Sequence, residues 1–126
     1  MSEVHFLTLE DAFGLIRVLG VGPIRDVGLL DSALARPRSS VFAQDAYATI
    51  ELKACALLHS LTKNPPLVDG NKRLAWLATT VFLYVNGYDS AASDDVAFDL
   101  MWELAGGSLE LEVIAERLRV KKLRKR

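Results

Sequence analysis

One short segment of the chain carries residue types that suit phosphate chemistry. It reads Leu67-Val68-Asp69-Gly70-Asn71-Lys72-Arg73 and lies between two apolar stretches with helical spacing. Asp-Gly-Asn is typical of a turn, and this turn leads directly into a predicted helix. The first amides of a helix have no partner within the helix and, together with the helix dipole, favour an anion. A bound phosphate would also explain why Lys72 and Arg73, which oppose that dipole, stand in the first turn.

The residues alone leave two interpretations of this segment open. In the first, Asp69 holds Mg²⁺ on a bound phosphate while Lys72 and Arg73 grip the phosphate oxygens. In the second, Asp69 is only a helix N-cap and the two cations are ordinary surface side chains. The segment is not a Walker A loop, because the pattern GxxxxGK[ST] is absent from the sequence.

The elements that must position this segment are predicted to be helices almost throughout. Apolar spacing, capping residues and stop signals predict six of them, over about 8–19, 26–35, 47–63, 70–86, 93–105 and 108–118. The third must end at Asn64-Pro65-Pro66, because proline lacks an amide donor and disfavours helix at the preceding residue. The fourth is apolar nearly all round, which predicts a buried helix at the centre. Residues 36–44 are polar and irregular and predict a loop or a short hairpin. We therefore expect a compact all-α domain spanning residues 1–126.

Composition narrows the class of protein. The chain has 126 residues, of which 51% are hydrophobic and 25% charged, and its mean hydropathy is +0.20; such a chain holds a real core and is not disordered. The longest apolar run, Leu74 to Val85, is too short to span a bilayer. No secretory signal is visible at the N-terminus. The one cysteine, Cys55, excludes an internal disulfide and a cysteine-based zinc site. These features predict a soluble cytoplasmic protein with no membrane contact.

The charge is distributed unevenly along the chain. Residues 1–118 hold 9 basic and 16 acidic residues, whereas residues 119–126 hold 6 basic residues and no acid. Such a tail can contact phosphates or an acidic partner, but a solvated, frayed end is the simpler expectation. No helix-turn-helix is evident and the rest of the chain is acidic, so direct DNA binding is not expected.

The segment Pro65–Arg73 resembles the active-site motif of the Fic family, H-x-F-x-[D/E]-G-N-[G/K]-R. The lysine before the arginine resembles the Doc (death-on-curing) branch of that family. Gly28–Pro37 and Lys53–Leu61 are also similar to Doc-type sequences, in the same order and spacing, and the similarity covers about residues 4–90. The resemblance implies an all-α Fic fold and the toxin of a toxin–antitoxin pair.

The resemblance also implies an activity. Fic proteins generally transfer a nucleotide monophosphate from a nucleoside triphosphate to a target hydroxyl. Doc proteins instead transfer the γ-phosphate to a threonine of elongation factor Tu, which stops translation. Trp76 stands where the nucleotide transferases have a second arginine, and this favours phosphate transfer. The implied substrate is ATP or another nucleoside triphosphate, and the implied partners are elongation factor Tu and a Phd-type antitoxin. The implied site consists of Asp69 for Mg²⁺, with Gly70, Asn71, Lys72 and Arg73 for the nucleotide phosphates.

Two positions depart from the motif. Leu67 replaces an aromatic residue and is expected still to anchor the loop in the core. Pro65 stands where the family has its catalytic histidine, the general base that takes the proton from the attacking hydroxyl. Proline has no titratable side chain, and loss of a general base typically costs about 10²–10⁴-fold in rate. We therefore expect an inactive or impaired chain, either as a natural pseudo-enzyme or through a detoxifying substitution. The alternatives are a catalytically silent antitoxin-binding module and an adenylyl transferase of the ordinary Fic type.

The remaining residues with chemical potential are expected to be structural. His59 is expected to be a core or helix-surface histidine rather than a replacement base, and Cys55 a small core residue. Trp76 and Trp102 are expected to pack rather than to stack on a nucleobase. By the resemblance, residues 36–44 occupy the place of the flap that aligns the backbone of the target protein.

Overall fold

The computed structural model describes residues 3–123, and these form a mostly helical domain. The six α-helices are α1 (Leu9–Leu19), α2 (Val27–Ala35), α3 (Ile50–Lys63), α4 (Asn71–Val85), α5 (Asp94–Gly106) and α6 (Leu111–Leu118). A short 3-10 helix covers Arg36–Arg38, and the strands are β1 (Ser40–Val41), β2 (Gln44–Asp45), β3 (Tyr88–Ser90) and β4 (Val120–Lys122). The predicted fold class is confirmed. No helix within residues 3–123 is long and apolar enough to cross a bilayer.

Local capping explains where most of the helices begin. The Thr8 hydroxyl accepts a hydrogen bond from the Asp11 amide, and the Asp11 carboxylate accepts one from the Thr8 amide. This reciprocal pair is a capping box, and Asp26 and Ser93 also cap α2 and α5 with their side chains. Helix α3 begins later than predicted, because Thr49 is its N-cap and the residues before it follow a hairpin.

The pair α3 and α4 forms the centre of the fold. Helix α3 is buried along nearly its whole length, whereas α4 buries only the face that carries Leu74, Ala78 and Phe82. Tyr84 is exposed on its other side. Helix α4 therefore lies at the centre, as predicted, but it is buried along one face rather than all round. Apolar composition shows that a helix can be buried, but the neighbouring elements decide which faces are covered.

Residues 39–46 form a short hairpin, which is one of the two structures predicted for this region. Ser40 pairs with Asp45 and Val41 with Gln44, in antiparallel register. The turn residues Phe42 and Ala43 both have positive φ, 52° and 64°, the combination that matches the twist of a two-residue hairpin turn. The Phe42 side chain is 97% exposed at the tip.

The basic C-terminal segment takes part in a second two-stranded sheet. Strand β4 pairs antiparallel with β3, with Tyr88 opposite Lys122, and the Leu123 amide donates to the Gly87 carbonyl. The expectation of a frayed end is therefore wrong as far as Leu123, because β3 supplies backbone partners that no local pattern reveals. Residues 124–126 lie outside the described residues.

Candidate active site at the start of helix α4

The predicted phosphate-binding segment forms a loop whose backbone is bonded to the segment that follows α1. The Val68 amide donates to the Pro23 carbonyl at 2.9 Å, and the Gly22 amide donates to the Asp69 carbonyl at 3.0 Å. Next to the Val68–Pro23 bond, Ile24 and Leu67 form an antiparallel bridge. The loop is thus held from the side by residues 22–24, whose sequence indicated only the end of a helix.

The two prolines of the loop are held through their carbonyls. The Arg25 guanidinium donates to the Pro65 carbonyl at 2.5 Å, and the amides of Arg25 and Asp26 donate to the Pro66 carbonyl at 2.7 and 3.1 Å. Because proline has no amide hydrogen, the carbonyl is the only backbone hydrogen-bonding group at each of these positions. Sequence reasoning missed Arg25, since nothing in its neighbourhood distinguishes it from an ordinary surface arginine.

Leu67 and Asn71 connect the loop to α4. Leu67 is 2% exposed, which confirms the expectation that it anchors the loop in the core. The Asn71 side chain makes two hydrogen bonds to the backbone of Leu67. Its Oδ1 accepts from the Leu67 amide at 2.8 Å, and its Nδ2 donates to the Leu67 carbonyl at 2.9 Å. The side chain of Asn71 therefore holds the loop in shape. Because that side chain is already bonded, the backbone amide of Asn71 is the group that can bind an anion.

We expect Asn71→Ala to lower the free energy of unfolding by about 1–3 kcal/mol, because both backbone groups of the buried Leu67 lose their partner. Urea denaturation of the purified chain measures this loss. The matched control is Asn64→Ala, which removes the same side chain from an exposed position. Equal losses in the two variants would contradict the role assigned to Asn71.

Gly70 brings the loop into the helix in a conformation that suits glycine. Its φ is +90°, and a Cβ placed on it would lie 2.4 Å from Cβ of Val21. The first bond of the helix runs from the Leu74 amide to the Gly70 carbonyl, so the amides of residues 71–73 precede the helical bonding pattern. A cavity of about 280 Å³, lined by residues 68–73, opens at this point.

Lys72 is placed by a contact with α5 that the sequence did not reveal. Its Nζ lies 4.8 Å from the centroid of the Trp102 ring, a cation–π geometry. Trp102 is 57% exposed, and it packs against Phe98, with the two ring centroids 6.0 Å apart. Helix α5 buries Leu100, Met101 and Leu104, and Trp102 falls on the neighbouring face of the helix. Trp76 is half-buried and packs against the core as expected.

The carboxylate of Asp69 suits a metal ion that is shared with a ligand. Within residues 3–123, no group of three or more His, Cys, Asp and Glu side chains is arranged to hold a metal. Asp69 is an exposed single carboxylate beside the cavity. Mg²⁺ commonly takes one or two carboxylates from the protein and completes its shell with substrate phosphates and water. The single carboxylate of Asp69 fits that pattern.

Neither His59 nor Cys55 of α3 is arranged as a base for this site. His59 Nδ1 lies 2.8 Å from the Arg36 guanidinium, and burial together with Arg36 and Lys63 lowers the pKa of His59 below its ordinary value. Cys55 is fully buried, as predicted for a core residue. Burial and the nearby Glu51 and Glu112 raise the pKa of the Cys55 thiol to about 12, so the thiol stays protonated at neutral pH.

Comparison with known proteins agrees with this geometry. The model of the family described as "Fic/DOC family" matches residues 1–83, which include the whole loop and the start of α4. The chain belongs to the Fic/DOC family. It is also similar to the Toxin Doc of Mycolicibacterium smegmatis (strain ATCC 700084 / mc(2)155), with 48% identity over 118 residues, 90% of this chain and 91% of that protein. The Fic/DOC match ends within α4, so α5, with Trp102, lies outside it.

Proposed function

We propose that this protein is the toxin of a toxin–antitoxin pair, with a scaffold for transferring the γ-phosphate of ATP, or another nucleoside triphosphate, to a threonine hydroxyl of elongation factor Tu. One observation carries the proposal. The segment Asp69–Arg73 stands at the start of α4, beside a cavity of about 280 Å³, in a loop braced by residues 22–26. The relationship to Toxin Doc supports the same assignment.

Each residue of the segment has a role in this proposal. The amides of residues 70–73 and the side chains of Lys72 and Arg73 bind the nucleotide phosphates. Asp69 holds Mg²⁺, which when bound supplies charge neutralisation to those phosphates. Trp76, where nucleotide transferases have a second arginine, supports transfer of phosphate over transfer of AMP. The whole chain, residues 1–126, acts as one domain in the cytoplasm.

Pro65 makes a second function worth testing. A chain without the general base can still bind its Phd-type antitoxin, because docking of a partner requires no proton transfer. Pro65 is half-buried and held through its carbonyl by Arg25, so its ring leaves the loop intact. We therefore propose an inactive or impaired transferase that keeps the nucleotide site, with an antitoxin-binding module as the alternative and adenylyl transfer as the less supported one.

Arg73→Ala is expected to weaken binding of ATP with Mg²⁺ by about 10–100-fold, since a charge-assisted hydrogen bond is worth about 1.5–3 kcal/mol. Titration calorimetry on the full chain measures this effect. Asp69→Ala should weaken binding only when Mg²⁺ is present. The control is Arg17→Ala on α1, which removes the same charge away from the loop. Unchanged affinity in Arg73→Ala would overturn the proposed phosphate site.

A further inference from the structure

Arg36 stands where α2 passes into the hairpin of β1 and β2, and its side chain reaches across to α3. Its Nε donates to the Tyr47 hydroxyl at 2.8 Å, and its Nη1 donates to the Ser60 hydroxyl at 2.9 Å. The same Nη1 lies 2.8 Å from His59 Nδ1. The guanidinium also lies over the Tyr47 ring, 5.4 Å from its centroid. The side chain of Arg36 thus links the 3-10 helix before the hairpin to Tyr47, which follows the hairpin, and to α3.

A buried lysine of α3 fastens strand β2 of the hairpin. Lys53 of α3 is 2% exposed, and its Nζ bonds the Asp45 carboxylate at 3.0 Å and the Tyr47 carbonyl. The hairpin itself is short, and its strand residues are exposed on both strands. Because an isolated two-stranded hairpin is marginally stable in water, its orientation depends on these contacts to α3.

The contact between Arg36 and His59 requires a particular protonation state of the imidazole. An arginine can only donate, so His59 Nδ1 must be the acceptor and must carry no proton. A protonated His59 would lose this bond and would place a second cation against the guanidinium. The charged groups that act on His59 are Arg36, from the 3-10 helix, and Lys63, from its own helix. Both are cations, so both oppose its protonation, while Tyr47 faces the same guanidinium through its hydroxyl and ring.

We infer that Arg36 is the positioning residue of the hairpin, and that His59 must be neutral for Arg36 to hold it. Protonation of His59 releases the Arg36 end of the hairpin from α3, while Lys53 continues to hold Asp45. The consequence for target binding rests on the proposed function and on the family resemblance, which places residues 36–44 where the flap aligns the target backbone. The helix that carries His59 ends at Lys63, two residues before Pro65, so one helix connects the anchor to the loop.

Hydrogen exchange on the full chain tests this inference without any activity. The reporter is the Ala46 amide, which donates to the Ser39 carbonyl across the hairpin. The closed hairpin binds fewer protons than the released one, since the pKa of His59 is lowered in the closed state. The protection factor should be constant above about pH 7 and fall as the pH drops through about 6.5, by up to about tenfold per pH unit, until the lowered pKa is passed.

The two-stranded sheet of β3 and β4 supplies an internal control. The Ala91 amide donates to the Arg119 carbonyl at 2.9 Å, and its protection factor should not follow this profile. His59→Asn places an amide oxygen near the position of Nδ1 and cannot be protonated, so it should keep the Ala46 protection between about pH 5 and pH 8. Arg36→Lys keeps the charge but lacks the planar fork, and should lower the protection at every pH.

Two results would overturn the inference. One is an Ala46 profile that is the same as that of Ala91, and the other is acid loss of protection that persists in His59→Asn. Neither result would affect the proposed function, because binding of ATP depends on Arg73 and is measured separately. Conversely, a calorimetric result that overturns the proposed phosphate site would leave the exchange profile of the hairpin unchanged.

Discussion

Replacing Pro65 with histidine is expected to raise phosphate transfer to elongation factor Tu by about 10²–10⁴-fold, because the change supplies the missing general base. The change should not disturb the loop. Arg25 holds position 65 through its carbonyl, which histidine also has. The neighbouring Pro66 and Leu67 are buried and keep their places in the loop. Expression of Pro65→His in a bacterium without the antitoxin should arrest growth, whereas the chain with Pro65 should not.

Growth curves and transfer of labelled γ-phosphate to purified elongation factor Tu measure the effect. Pro65→Gln is the matched control, because it restores a backbone amide and a polar side chain without a titratable base. Equal growth of cultures that express the unchanged chain and the Pro65→His variant would show that Pro65 is not the lesion. Arrest by Pro65→Gln would show that the proline ring, rather than the missing base, is responsible. Transfer of an α-phosphate label would identify the chain as an adenylyl transferase.

Gly70→Ala is expected to lower the free energy of unfolding by about 2–5 kcal/mol. Alanine in the left-handed region costs about 1–2 kcal/mol, and the new methyl group must displace Val21, whose Cβ is 2.4 Å away, at about 1–3 kcal/mol more. The same change moves the loop away from residues 22–26, so binding of ATP should also weaken. Urea denaturation and calorimetry measure the two effects.

Gly87→Ala separates the two contributions to this loss. Gly87 has φ of +88°, but a Cβ there meets no atom within 4 Å, so only the backbone cost applies. The difference between the two variants isolates the contact with Val21. In a double-mutant cycle, Val21→Gly should cost less stability in the Gly70→Ala background than in the unchanged chain, by about that difference. Equal losses in Gly70→Ala and Gly87→Ala would refute the close approach of the loop to Val21.

The features that could be predicted from the sequence depend on interactions between near neighbours. Thr8 and Asp11 cap α1 from three residues apart, the prolines at 65 and 66 end α3, and Gly70 begins α4. The same local chemistry located the segment that carries the candidate site. Capping, proline geometry and turn formation act within a few residues, so the pattern of residue types was sufficient to identify them.

The tertiary structure decided the contacts between elements that are distant in the sequence. Arg25 donates a hydrogen bond to the carbonyl of Pro65, 40 residues away in the sequence. The ammonium group of Lys72 on α4 lies over the ring of Trp102 on α5. Strand β4 forms from a basic tail only because β3 lies beside it. Helix α4, which is apolar nearly all round, is buried only where α3 and its neighbours cover it. No periodicity encodes these contacts, because they depend on the packing of helices that are distant in sequence. The sequence alone was therefore sufficient to locate the loop by its residue types, whereas the hydrogen bonds from residues 22–26 that hold the loop in place were not evident.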